Sequence, residues 1–342
     1  MKLWSMSISF RLGLGFHALN NEGSDGSNLM QPRRIDVGDV TYDGISGEIV
    51  RRHILENLVQ ICQQQSLPLL PMSAGLHPDR GPLGIRAAAK INNEEAPLDT
   101  SNLYASVRTA IERCTLLDIG GFLAAFGGEE AKDSEYTVEQ DYIDNHCAKL
   151  GAGNPVKRES CFDVGWLISE QAQDLTITQH SAYRDTAKLN SRYSQTMRSN
   201  TYGGVIRAEL HRIGTDDHWY LSDQKRLAIE DQAKRQQALI KSIIDFIAAP
   251  TGARTAAWAP HVYLTEGVVL LSSNRTAPFT SPIKVDLDHK GDEEHQPVSA
   301  NPDYRSSMSS LANQSDTWAW TFDDVNQLIN LTDQLANTLT DN

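Results

Sequence analysis

The sequence predicts an α+β fold on a β-α-β-β-α-β plan, a ferredoxin-like or RNA-recognition-type sheet carrying large insertions. Three observations lead there. From Ser5 to Leu14 the polar positions Ser5, Ser7, Ser9 and Arg11 alternate with Met6, Ile8, Phe10 and Leu12, the period-two signature of a half-buried strand. From about Gly44 to Gln64, the side chains of Ile45, Ile49, Ile54, Leu58, Ile61 and Cys62 fall on or near one helical face. Downstream, strand signals around 157–168, 202–213 and 268–271 are separated by a long helix ending near Ala248, and an amphipathic helix closes the chain.

At 342 residues the chain can bury one large core, so one main domain with sizeable insertions is expected. The absence of any run of about 18 apolar residues argues against a membrane span. The N-terminus lacks the apolar stretch of a signal peptide. Cys62, Cys114, Cys147 and Cys161 are scattered without C-x-x-C pairs, which argues against both a disulfide framework and a zinc site. A reduced, cytoplasmic setting without metal or cofactor is expected. The net charge of −13 runs against nucleic-acid binding, because phosphate contact normally leaves a basic footprint. Its distribution is uneven, however. Acidic residues gather at 94–95, 129–144 and 286–294, and basic ones at Arg33–Arg34, Arg51–Arg52, Lys157–Arg158 and Arg184–Arg198.

The first strand ends in Gly13-Leu-Gly15-Phe-His-Ala18, which matches the G-x-G-x-x-A dinucleotide fingerprint. That motif must open a helix, whereas Asn20, Asn21, Gly23, Gly26 and Pro32 follow at once and predict a turn-rich segment. The helix from about Gly44 has Asp43 or Ser46 as its cap. Small residues at Gly44, Ser46 and Gly47 leave its first N–H groups accessible, and Arg51 and Arg52 follow, the combination expected of an anion site. The same two arginines also fit a merely solvated face.

Turn signals at Pro68, Pro71, Gly75, Pro78, Gly81, Pro82 and Gly84 predict an irregular excursion over 66–97. A helix is expected over 98–112, then a buried segment from Cys114, a strand interrupted by glycines. The acidic stretch within 127–156 reads as a solvated insertion. Residues 170–200 read as an extended hairpin with interleaved Tyr183, Arg184, Lys188, Arg192, Tyr193 and Arg198, a mixture suited to single-stranded nucleic acid and equally to a surface loop. Ser222 is placed as the cap of the long helix, Pro250-Thr-Gly-Ala-Arg254 as a turn presenting Arg254, 285–310 as flexible, and 321–340 as the closing helix.

Two stretches then support a family resemblance. The first strand with His17-Ala-Leu-Asn-Asn-Glu-Gly-Ser-Asp25, followed by Ile45-Ser-Gly-Glu-Ile-Val-Arg-Arg-His53, resembles the backbone subunit of type I CRISPR interference complexes, in the DevR-type branch found in type I-B Cascade. Cys114-Thr-Leu-Leu-Asp-Ile-Gly-Gly-Phe-Leu123, Lys157-Arg-Glu-Ser-Cys-Phe-Asp-Val-Gly-Trp166 and Ser199-Asn-Thr-Tyr-Gly-Gly-Val-Ile206 are similar in kind and order. The resemblance implies a hand-like subunit: an RNA-recognition-type palm, finger insertions at 66–97 and 127–156, and a thumb hairpin at 170–200. It implies partners too: crRNA, target DNA through the guide, copies of itself in a helical array, and other Cascade subunits. Carried onto this chain, the expected RNA contacts are His17, Asn20, Asn21, Arg33, Arg34, Ser46, Gly47, Arg51, Arg52, Lys157, Arg158, Arg192, Arg198 and Arg254.

Catalysis is not expected. Related subunits of type III complexes cut RNA through an aspartate in the loop after the first strand, and Asp25 lies in such a loop, with Asp36 and Asp39 near it. A carboxylate in a Gly/Ser/Asn-rich turn is also ordinary turn chemistry. The histidines at 17, 53, 146, 180, 211, 218 and 261 are dispersed, and no G-x-S-x-G elbow occurs.

Overall fold

The apolar alternation of the first strand, β1 (Ser5–His17), places it at the centre of a ten-stranded sheet. The structure, a computed structural model, describes residues 3–19, 29–30, 32–92, 100–125, 147, 155–172, 175–184, 189–216, 231–250, 260–286, 296–312 and 316–340. After β1 come β2 (Leu29–Met30), β3 (Arg34–Val37), β4 (Val40–Ile45) and the long α1 (Gly47–Gln64). A helical block follows: α2 (Pro71–Ala74), α3 (Arg80–Ile91), α4 (Thr100–Arg113) and α5 (Thr115–Gly120). Then come β5 (Phe122–Ala124), β6 (Val156–Arg158), β7 (Phe162–Val164), β8 (Leu167–Ala172), β9 (Leu175–Arg184) and β10 (Leu189–Ala208). The chain ends with α6 (Gln232–Ala248), β11 (His261–Ser272), β12 (Ile283–Val285), β13 (Val298–Ala300), α7 (Tyr304–Leu311), β14 (Thr317–Phe322) and α8 (Val325–Thr340).

The sheet runs β14-β11-β1-β10-β8-β4-β3, with β7 and β9 also paired to β10. At its heart β11, β1, β10 and the β7/β8 segment are antiparallel neighbours. In chain order these are the fourth, first, third and second strands of the β-α-β-β-α-β plan, with α1 and α6 as its two helices. That is the ferredoxin-like arrangement. Met6, Ile8, Phe10, Leu12 and Leu14 of β1 share one core with Val50, Ile54 and Leu58 of α1 and Leu239, Ile243 and Ile247 of α6.

The opposite face of β1 corrects the half-buried reading. Ser5, Ser7 and Ser9 are completely buried, Ser5 and Ser7 against the chain that follows β11. Ser5 Oγ donates to the Arg275 carbonyl at 2.7 Å and accepts from the Ala277 N–H at 2.6 Å, and Ser7 Oγ donates to the Pro278 carbonyl at 2.6 Å. The Ser5 and Ser7 hydroxyls pair the backbone of a covering segment, whereas the Ser9 hydroxyl is buried without a hydrogen-bond partner, so this face does not meet water. Val268 and Leu270 of β11 pack there against Ala277, Tyr304 and Met308.

Several local expectations change. Gly44 belongs to β4, opposite Ile168, so α1 starts later, at Gly47, with Ser46 as its N-cap. Much of the excursion over 66–97 is helical: Pro71 and Pro82 sit in first turns, where a missing N–H costs no helical bond. The segment from Cys114 is a short helix that turns into β5 at Gly121, whose φ of 68° suits glycine. The strand expected at 157–168 is three short strands, and α6 begins at Gln232, with Ser222 outside the described residues. Within 285–310, β13 and α7 are regular elements. The hairpin is present: β9 and β10 pair continuously from Leu175↔Arg198 to Arg184↔Leu189, and the same β10 continues into the palm. The acidic stretch falls almost wholly outside the described residues. No helix among the described residues is long and apolar enough to cross a membrane.

Candidate nucleic-acid interface

Arg51 and Arg52 leave α1 in its second turn and meet Arg80 at the start of α3. Arg51 is half-buried; it donates to the Gly120 carbonyl and lies 5.8 Å from the centroid of the Phe162 ring. Arg80 Nη1 donates to the His77 carbonyl at 3.2 Å. Both guanidiniums are thus held by backbone carbonyls, which orient a cation without cancelling its charge. Burial lowers the pKa of each, and the charges of Arg51 and Arg52 lower that of Arg80 further. The residues Arg51, Arg80, Lys157, Arg158, Arg212, Ser160 and Gly121–Leu123 line an open cleft of about 640 Å³, which Glu159, Asp163 and Glu209 also border. A second hollow of about 240 Å³ shares Arg51 and Arg80 and adds Arg52 and Leu76. Arg52 pairs with Glu56 at 3.1 Å and Lys157 with Glu159 at 2.7 Å; both cations are well exposed, so their ion pairs are weak and exchangeable.

The start of α1 differs from the open anion site expected. Ser46 Oγ accepts from the Ile49 N–H at 3.4 Å, and Ser46 is buried. A Cβ on Gly47 would lie 2.2 Å from the Val164 carbonyl oxygen, and one on Gly44 within 3 Å of Ile35 and Trp166. These small residues let the β7–β8 turn close over the helix end. Ser46 and Gly47 therefore serve packing, and the accessible charge sits further along, at Arg51 and Arg52.

Three other expected contacts also lie inside the protein. His17 Nδ1 accepts from the Leu19 N–H at 3.3 Å, so Nε2 carries the proton toward Tyr202 Oη at 2.8 Å. Arg198 donates to Tyr202 Oη at 3.3 Å and to the Leu19 carbonyl at 2.5 Å, and lies 3.8 Å from the Asp43 carboxylate. Burial first, and the Arg198 charge second, hold the His17 pKa well below the usual histidine range. This knot ties the end of β1 to β4 and β10, so His17 and Arg198 anchor the chain entering the turn-rich segment rather than facing a ligand.

Arg158 is only 3% exposed and shares the fully buried Asp118 with Arg235, at 2.6 and 2.9 Å. The Gly214 N–H donates to the same carboxylate at 3.0 and 3.1 Å. Arg158 also donates to the Thr215 and Arg212 carbonyls, and Arg235 to those of Ile111 and Glu112. Arg158 borders the cleft but spends its donors on the fold. Arg33 and Arg34 are exposed at the start of the edge strand β3, where the Gly44 N–H donates to the Arg33 carbonyl. Arg192 lies on β10 within the hairpin, opposite Ser181. Asn20, Asn21, Asp25 and Arg254 lie outside the described residues.

The family described as "CRISPR-associated negative auto-regulator DevR/Csa2" matches residues 8–295. The chain belongs to the DevR/Csa2 family. A chain of a solved "CRISPR RNA-guided surveillance complex, pre-nicking" is 10% identical, covering 98% of this chain and 100% of that one, with a TM-score of 0.51. A chain of another "CRISPR RNA-guided surveillance complex" is 9% identical over 98% of this chain and 99% of its own length, with a TM-score of 0.44. The first likeness shows a shared fold; at these identities neither transfers individual residues. No curated protein matches the sequence.

Within this DevR/Csa2 chain, sequence reasoning passed over Arg80 and Arg212. Arg80 sits in Pro78-Asp-Arg-Gly-Pro82, which reads as turns, and its convergence with Arg51 is tertiary. The one available signal was a basic residue just inside a proline-marked helix start. Among the described residues, no group of three or more His, Cys, Asp and Glu side chains is arranged to hold a metal ion.

Proposed function

We propose that this chain is a non-catalytic backbone subunit of a type I Cascade effector, which holds a guide RNA by its phosphates and presents it for pairing with target DNA. Copies of the chain then line up along the guide beside other Cascade subunits, with the β9–β10 hairpin as the thumb between neighbours. The observation that carries the reading is the convergence of Arg51 and Arg80, each held by a carbonyl, on an open cleft that Lys157 also lines and on an adjoining hollow that Arg52 lines. In a chain of net charge −13, a local group of cations attracts a polyanion more effectively than the net charge implies. Family membership and the shared fold support the same assignment.

The test is purification of the full chain and of an Arg51→Glu/Arg80→Glu variant, with sequencing of bound nucleic acid. Short RNA of repeat–spacer origin with the wild type, and its depletion with the variant, is expected. Wild-type protein free of RNA, with no affinity for a guide at low salt, would refute the proposal.

A further inference from the structure

The Gly13-x-Gly15 pair, which fits no nucleotide-binding turn, has a different consequence in the folded sheet. Two β-bulges flank it at the same end of β1. On one side the pairing of β1 with β11 slips between Gly13↔Leu264 and Leu14↔Val262, so Tyr263 is the extra residue. On the other, pairing with β10 slips between Leu14↔Asn200 and His17↔Arg198, which leaves Gly15 and Phe16 to share the bulge. A bulge re-aims the side chain it carries.

Tyr263 is re-aimed across β1. A Cβ on Gly13 would lie 2.4 Å from its ring, so only glycine lets the ring lie over this strand. The ring spans β1, and its hydroxyl reaches Thr201 Oγ1 of β10 at 3.3 Å. Tyr263 is nevertheless 58% exposed. Phe16, 56% exposed, adopts a φ of 53°, costly for a bulky side chain, and its N–H is held by Ser199 Oγ at 2.9 Å. Its ring meets the exposed His261 edge-on, 6.0 Å between centroids at 78°. Elsewhere this face of the sheet lies under the segment after β11, as at Ser5 and Ser7.

We propose that Tyr263, with His261 and Phe16 beside it, is a stacking platform for one unpaired nucleobase of a bound single strand. A strained, exposed phenylalanine and a ring laid over a glycine are costs that packing alone does not repay, since neither ring is buried. A flat ring laid over Gly13 and still 58% exposed has one face open to another flat aromatic group. Stacking tolerates any base, as a subunit holding guides of varied sequence requires. The nearby carboxylates Glu266 and Asp323 are paired with Arg11 and Arg305, so these cations are already engaged; the platform takes the base and the arginine cleft the backbone. The proposal rests on the reading of the chain as a single-strand RNA binder and adds a second, uncharged contact to it.

The test compares the full chain with Tyr263→Ala, Tyr263→Phe and Arg51→Glu/Arg80→Glu. The probes are a single-stranded RNA containing 2-aminopurine and its abasic counterpart. Wild-type protein should quench the 2-aminopurine. Tyr263→Ala should abolish the quenching and weaken binding about tenfold, while Tyr263→Phe retains both and the abasic strand does not distinguish the proteins. The arginine variant should bind more weakly yet quench at saturation. Unchanged quenching and affinity in Tyr263→Ala, an equal loss on the abasic strand, or a change confined to self-association would each overturn the platform while leaving the guide-binding reading intact. Absence of any RNA binding by the wild type would overturn both.

Discussion

Arg51 and Arg158 are both arginines beside the same cleft, and they serve opposite ends. Arg158 is enclosed, its donors shared among the Asp118 carboxylate and three backbone carbonyls, within a network that also holds Arg235 and Gly214. Arg51 donates to a single carbonyl and rests near one aromatic face, keeping donors and charge for something outside. The difference lies in the partner. A buried carboxylate neutralises an arginine and commits it to the fold, whereas a carbonyl positions it and leaves its charge in force.

The strongest way to break this comparison is at Asp118. Asp118→Ala leaves two buried guanidiniums without their carboxylate and should cost about 3–5 kcal/mol, or prevent folding. By contrast, Arg51→Ala should change stability by no more than about 1 kcal/mol. Urea denaturation of both variants checks this, and similar losses in the two would erase the distinction. Gly47→Ala sharpens it further. The added methyl meets the Val164 carbonyl, so a loss of about 1–3 kcal/mol is expected, with affinity for RNA per folded molecule unchanged. A direct effect on RNA binding there would return the start of α1 to the interface.

The smallest effect concerns His17. Its pKa is depressed in the folded protein, while the unfolded chain titrates near the ordinary value of about 6.5. Below that pH the unfolded state binds a proton that the folded state refuses, so this contribution to stability falls as pH falls toward the folded value. The slope is at most about 1.4 kcal/mol per pH unit. Denaturation midpoints of the wild type and His17→Gln, measured from pH 7 downward, should converge as the pH drops. A constant gap would mean that His17 is not held neutral.

The same distinction explains what could be read from the sequence. The palm was legible because β1, α1, α6 and β11 carry their apolar patterns within the segment itself. The serine face of β1 was not, since its polar alternation means burial only once a segment some 270 residues away lies over it. Of the expected contacts, Arg51, Arg52 and Lys157 border the cleft or the hollow beside it. His17, Arg158 and Arg198 carry the same local signals, but their partners Tyr202, Asp118 and Asp43 are distant in sequence, so their burial was invisible. Arg80 was masked in the opposite direction, by prolines and glycines that read as loop and in fact open a helix.

The central claim is that the arginine cleft binds phosphate. The dependence of single-stranded RNA affinity on salt tests it most directly, measured for the full chain and for Arg51→Glu/Arg80→Glu. Each lost phosphate contact should lower the slope of log affinity against log salt by about 0.7. The variant is therefore expected to bind more weakly at low salt, with a slope reduced by about 1.4 for two contacts. Equal affinity and equal slope in the two proteins would contradict the account.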